Sequence, residues 1–175
     1  TSTAAAVADA IREGKPLIER SITITGRGIE SPINLIYRIG TRLKDLVEQA
    51  GGLKEEAAKV ITGGPMMGQA QKSLDVPAVK GTSGLLVLPA SEVEEHDPAP
   101  CINCAKCVDS CPMFLMPTTL VKYVKNEMVD KLEEYQVLNC IECGSCSYVC
   151  PSKIPLVHYL RLGKSMVMAK QREEN

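Results

Sequence analysis

The hydrophobic pattern changes period along the chain. Over residues 18–25, Ile22 and Ile24 alternate with Ser21, Thr23 and Thr25, a period of two that buries one face of a strand. Gly26-Arg27-Gly28 turns the chain, and residues 34–39 make a second β-rich run. Thr41 then stands where a side-chain oxygen caps a helix over 42–50, with Leu43, Leu46 and Val47 on one face and Gly51-Gly52 at its end. Val60-Ile61-Thr62, residues 76–79 and residues 85–88 are further strand candidates. Strands around one helix predict a compact α+β domain over residues 17–90. Ahead of it, residues 3–13 follow a helix pattern stopped by Gly14 and Pro16. With Thr1 in place of an initiator Met, residues 1–16 read as the closing helix of something upstream, and the chain as an excised fragment.

Residues 91–100, with Glu92, Glu94, Glu95, His96, Asp97, Pro98 and Pro100, form a polar linker. Beyond it the period becomes helical. Thr118 or Thr119 is placed to cap a helix through about residue 130, and residues 131–138 continue with helix-favouring types. Pro155 begins a last helix over about 156–170, with Leu156, Leu160 and 163–167 on its packing face. Residues 101–175 are therefore expected to be α-helical.

All eight cysteines lie in two copies of one pattern, CINCAKCVDSCP from Cys101 to Pro112 and CIECGSCSYVCP from Cys140 to Pro151, offset by 39 residues. Each reads Cys, two residues, Cys, two residues, Cys, three residues, Cys-Pro, the spacing by which bacterial-type ferredoxins hold 4Fe-4S cubes. A cube offers one open site on each of four irons. Three cysteines on a tight loop reach three of them, and in two-cluster ferredoxins the fourth comes from the other run. That rule assigns Cys101, Cys104, Cys107 and Cys150 to one cluster, and Cys140, Cys143, Cys146 and Cys111 to the other. Disulfide frameworks disperse their cysteines, and zinc, with four ligands commonly in two separated pairs, leaves an awkward surplus. His96, five residues before Cys101, and His158 are read as a linker and a helix histidine rather than ligands, because four cysteines already serve each cluster. Each Cys-Pro ends its loop by removing an amide donor, and Gly144 lets the second loop approach closely.

Composition then narrows the partners. Lys plus Arg (20) balance Asp plus Glu (21), so no global field draws the chain to nucleic acid. Loading eight thiolates with two oxidised cubes moves the formal charge from −1 to about −5. Phe114 and the five tyrosines lack the interleaved basic residues of a nucleic-acid platform. No apolar run approaches the roughly 18 residues that span a bilayer, and no signal-peptide pattern is present, so membrane contact is expected only through partners. Reduced thiols and oxygen-sensitive cofactors point to the cytoplasmic side of a cell. The loop Gly63-Gly64-Pro65-Met66-Met67-Gly68 lacks both a following Lys-Ser/Thr and the dinucleotide spacing. It is read as a structural turn or a surface for a neighbouring domain, with Met66 and Met67 as packing residues.

The segments GKPLIERSITITG (14–26), EQAGGL (48–53), ITGGPMMG (61–68), VKGTSGLLVL (79–88) and CIECGSCSYVCPSKIPLVHYLRLGK (140–164) together resemble the C subunit of the Rnf complex, the ion-translocating ferredoxin:NAD oxidoreductase of bacteria. The resemblance implies a soluble-ligand-binding β-grasp (SLBB) domain followed by a two-cluster α-helical ferredoxin domain. It implies an upstream region binding FMN and NADH, with residues 3–13 as its final element. By the same resemblance the chain relays single electrons between that region and partner subunits or ferredoxin-like carriers, peripherally on the cytoplasmic side of the inner membrane. No residue is then needed as acid, base or nucleophile, and the chain by itself is not expected to oxidise NADH. A cobalamin-reductase-type electron-transfer subunit resembles the same domain pair, and a ligand-binding module braced by structural clusters is the non-redox alternative.

Overall fold

The computed structural model describes residues 2–93 and 97–174, so His96, read above as a linker histidine, lies outside the described residues. The chain divides into two units, Thr1–Glu94 and Glu95–Asn175, each with its own core. The first comprises α1 (Ser2–Glu13), β1 (Glu19–Thr25), β2 (Ile33–Arg38), α2 (Leu43–Gln49), β3 (Ala57–Thr62), β4 (Gln69–Gln71) and β5 (Gly84–Pro89). Its sheet runs β2-β1-β5-β3-β4, with β1 and β5 parallel and the other neighbours antiparallel. Ile22, Ile24, Leu85 and Val87 from the sheet meet Leu43, Leu46 and Val47 of α2, which gives the α+β domain that the alternating pattern predicts. Helix α1 contributes no buried residue to this core.

Three local expectations change. Thr41 does not cap α2, because its hydroxyl donates to Arg38 O at 2.7 Å. The first amides of α2 are satisfied by main chain instead: Leu43 N donates to Val76 O and Lys44 N to Leu74 O, both at 3.0 Å. That use of residues 74–78 explains why 76–79 is not a strand, apart from the single bridge between Arg42 and Pro77. Strand β4, absent from the sequence reading, follows the Gly63–Gly68 turn, whose Gly63 and Gly68 amides donate to Gly84 O and Gly64 O. Met66 and Met67 lie on the exposed side of that turn and outside the core.

The second unit contains α3 (Lys106–Asp109), α4 (Pro117–Lys125), α5 (Val129–Glu134), a 3-10 turn (Val137–Asn139), α6 (Ser145–Tyr148) and α7 (Leu156–Glu173). The 39-residue repeat of the cysteines extends to the backbone. Positive φ recurs at Asn103 and Glu142 (54° and 58°), Ala105 and Gly144 (61° and 86°), and Phe114 and Lys153 (55° and 51°). Pro117 opens α4 where Leu156 opens α7. The continuous helix expected from residue 118 onward instead starts at Pro117 and ends at Lys125. Asn126 Nδ2 caps the Lys122 carbonyl at 2.7 Å and Glu127 turns left-handed (φ 54°), so α5 starts as a separate element. Thr118 caps nothing. Its amide and hydroxyl face the Cys107 thiol.

Helices α4, α5 and α7 close over Leu120, Val124, Leu132, Val137, Leu156, Leu160 and Val167. Gly163 sits at their crossing, where an added Cβ would stand 2.8 Å from Val124 Cγ2 and 3.5 Å from Leu132 Cδ2. Gly163→Val should therefore overpack this crossing and destabilise the second unit by about 1–3 kcal/mol. Thermal unfolding followed on the two units separately tests this, and an unchanged second transition would contradict the close approach.

Candidate metal centres

The fold gathers the eight thiols around two cavities. One is lined by Cys101, Cys104, Cys107 and Cys150, together with Pro151 and Ser152. The other is lined by Cys111, Cys140, Cys143 and Cys146, together with Pro112 and Leu160. Each Cys-Pro corner thus faces the cavity of the opposite run. Among the described residues, no three His, Cys, Asp or Glu side chains converge closely enough to hold a single metal ion. Four thiols around each cavity match the donor set of a 4Fe-4S cluster, one thiolate per iron. His158 lies exposed on α7, stacked edge-on with Tyr159, and lines neither cavity.

Local backbone explains how short loops present three thiols at once. All seven non-glycine residues with positive φ among the described residues fall between Asn103 and Lys153, so the strained conformations concentrate in this unit. Ala105 and Gly144 make the left-handed step that launches α3 and α6, and these helices carry the buried Cys107 and Cys146. Main-chain amides then turn to sulfur: Leu115 N lies 3.4 Å from Cys111 Sγ and Glu142 N 3.4 Å from Cys140 Sγ. Such donors favour a thiolate and, with a cluster bound, its reduced state.

Ser152, the buried polar residue among the described residues of this unit, ties the two runs together. Its hydroxyl donates to Pro100 O at 2.9 Å and its carbonyl accepts from Ala99 N at 3.0 Å. The strand of chain entering Cys101 is thereby held against the corner that carries Cys150. On the other side Ser147 Oγ accepts from Val157 N at 3.0 Å and caps the first turn of α7.

Charge distinguishes the two cavities. Burial pushes the Cys107 thiol up, with a smaller like-charge push from Cys150. Burial likewise raises Cys140, and it drives Cys146 up to about 11, with Cys140, Cys143 and Cys111 adding to the shift. Cys143 moves the other way, because the Ser145 hydroxyl 3.4 Å away favours its thiolate. Beside Cys140, Glu142 accepts from Lys164 at 2.9 Å and from Arg161 at 2.8 Å, and Lys164 also donates to Cys140 O at 2.9 Å. The Lys164 ammonium, followed by Arg161, holds the Glu142 carboxyl below its usual range. Glu142, Arg161, Lys164, Ser147 and Ser152 were not legible as site residues, since each acts across 10 or more positions.

These features define a class of protein: a small α+β domain followed by a helical unit with two four-thiol cavities. Family models agree, matching residues 21–70 to "SLBB domain" and residues 94–151 to "4Fe-4S dicluster domain". The chain's homologues are the C subunits of ion-translocating ferredoxin:NAD(+) oxidoreductase complexes, and the likeness extends over nearly all of it. It is 43% identical over 173 residues to the C subunit of the Na(+)-translocating ferredoxin:NAD(+) oxidoreductase complex of Acetobacterium woodii, covering 99% of the chain and 39% of that relative. To the proton-translocating counterpart of Clostridium ljungdahlii it is 48% identical over 118 residues, 67% of the chain and 26% of the relative. The C subunit of the ion-translocating oxidoreductase complex of Methanosarcina acetivorans is 43% identical over 170 residues, 97% of the chain and 38% of the relative. The chain thus spans well under half the length of these relatives.

The cavity grouping yields opposed outcomes for two single substitutions. Cys111→Ser should abolish or convert the cluster of the second run and spare that of the first, and Cys150→Ser should do the reverse. Each would lower the iron content from about eight towards about four per chain. EPR of the reduced variants distinguishes the outcomes, and damage confined to the mutated run's own cluster would overturn the grouping. Ser152→Ala should loosen the Cys101 segment at a cost of about 1–3 kcal/mol, read as faster loss of the first cluster to a chelator than of the second.

Proposed function

We propose that this chain is the electron-relay portion of a C subunit, passing single electrons between an upstream FMN and NADH site and partner subunits of an ion-translocating ferredoxin:NAD oxidoreductase. The observation that carries this reading is the pair of neighbouring four-thiol cavities in one helical core. Cys101, Cys104, Cys107 and Cys150 would hold one 4Fe-4S cluster, and Cys140, Cys143, Cys146 and Cys111 the other. When bound, each cluster takes up and gives back one electron at a time, the conversion a two-electron hydride donor needs before a single-electron path.

The residues of this chain supply holding, insulation and tuning. Leu115, Val157 and Leu160 wall the second cavity and keep water from it, while Thr118 and the amides of Leu115 and Glu142 turn donors toward sulfur. No side chain is required to move a proton. In this reading residues 1–16 close the upstream region, 17–90 form the SLBB-like domain, 91–100 link, and 101–175 carry the relay. Exposed Val7 and Ile11 on α1 agree with a helix that finishes its packing elsewhere. Among the described residues no helix is long and apolar enough to cross a membrane. Attachment at the cytoplasmic face would come through other subunits.

Anaerobic reconstitution followed by an EPR-monitored redox titration tests the relay. About eight irons per chain and two reversibly reducible, magnetically interacting clusters are expected. NADH added to this chain without a flavin domain should reduce neither. Clusters that cannot be cycled reversibly would reduce them to structural braces and remove the proposal.

A further inference from the structure

The 39-residue repeat carries its helix cations with it but not their counter-ion. Lys122 and Lys125 of α4 stand at the positions of Arg161 and Lys164 of α7. On α7 the pair is half-buried and bridged by Glu142. The residue matching Glu142 is Asn103, uncharged and placed with its Oδ1 3.8 Å from Cys101 Sγ. Lys122 and Lys125 are exposed, and neither forms a salt bridge among the described residues. Lys125 Nζ rests 5.0 Å above the Tyr159 ring, which steadies the ammonium while leaving it in water.

Both lysines border a cavity of about 440 Å³ whose wall includes Cys101, Ile154, Leu156 and Tyr159. Cys101 also lines the first four-thiol cavity, so this groove opens on a ligand thiol of that site. The exposed thiols, Cys101 and Cys104, belong to this first group, whereas those of the second are half-buried or buried. A groove with an apolar floor, two rim cations that pair with no carboxylate among the described residues and a thiol of the first cavity in its wall is built for a protein surface of opposite charge.

We propose that this groove is the docking surface of an acidic one-electron carrier protein, whose carboxylates engage Lys122 and Lys125 while its redox centre comes up to Cys101. The proposal rests on the relay reading above and adds to it the point of entry. In the transfer the carrier would lose one electron, and the cluster that Cys101, Cys104, Cys107 and Cys150 would hold would accept it. No bond forms or breaks, and no proton moves.

The test uses the reconstituted chain with both clusters and reduced flavodoxin, an acidic carrier whose flavin absorbance is separable from that of the clusters. Stopped-flow mixing at low and high ionic strength gives the second-order rate. Lys122→Glu/Lys125→Glu should lower that rate about tenfold or more at low salt and abolish its fall with added salt. The same charge change at exposed positions of the first unit, Lys44→Glu/Lys59→Glu, should alter it less than about twofold. Asn103→Glu restores the carboxylate of the second repeat at a position where Glu142 already adopts the same positive φ. It should also slow the reaction while iron content holds. Equal rates for the two double variants, a rate insensitive to salt, or no transfer from flavodoxin would each overturn the docking surface. Dithionite titration separates the two readings. Reversible reduction alongside unaffected lysine variants removes the docking surface alone, while clusters that take no electron from dithionite remove the relay and the docking surface with it.

Discussion

The corner formed by Cys150, Pro151 and Ser152 is the contact on which the helical unit depends. Ser152 binds the chain at Ala99 and Pro100 through its hydroxyl and carbonyl, and so brings Cys101 beside a cysteine almost fifty residues later. Because the equivalent corner at Cys111 and Pro112 faces the second cavity, neither cavity gathers its four thiols without the other half of the domain. The helices serve that arrangement. Val124, Leu132 and Val137 crowd around Gly163 and fix how closely α4 and α7 approach, and those helices carry Thr118 and Lys164 to the two sites.

Sequence periodicity revealed the elements whose burial is local. Ile22 and Ile24 on β1, and Leu43, Leu46 and Val47 on α2, lie in the core as their spacing requires. The cysteine runs stood out in the sequence as well, since metal-ligand spacing is itself a local pattern, and the exchange of the fourth cysteine was read by the rule for two-cluster ferredoxins. What escaped were the helix caps and the break between α4 and α5. Thr41 and Thr118 looked like caps, yet one hydroxyl found Arg38 O and the other faced Cys107, while main-chain carbonyls and Ser147 finished α2 and α7. The break at 126–128 carries no proline or glycine to announce it. Only the Asn126 side chain, competing for the Lys122 carbonyl, marks the place.

The two cavities are not chemically equal despite their common backbone. Glu142, Arg161 and Lys164 make a compact ion cluster beside Cys140, and apolar residues close around it. Around Cys101 and Cys104 the walls are more polar and the thiols meet solvent. Adding an electron adds negative charge, so solvent and nearby cations stabilise the reduced form and apolar walls oppose it. One fold therefore offers two settings of the same cofactor chemistry, through side chains that lie outside the cysteine pattern.

The paired positive-φ residues and the matched helix starts carry an implication for how such a domain arises. A chain holding a single cysteine run would offer three thiols on its loop and a fourth pointing away, and so would complete a cavity only against a second copy related by a twofold axis. Here residues 126–139 join the two halves in one chain. Once joined, the halves no longer had to be identical. The exchange of a carboxylate at residue 142 for an amide at residue 103 is a difference that no symmetric dimer can possess.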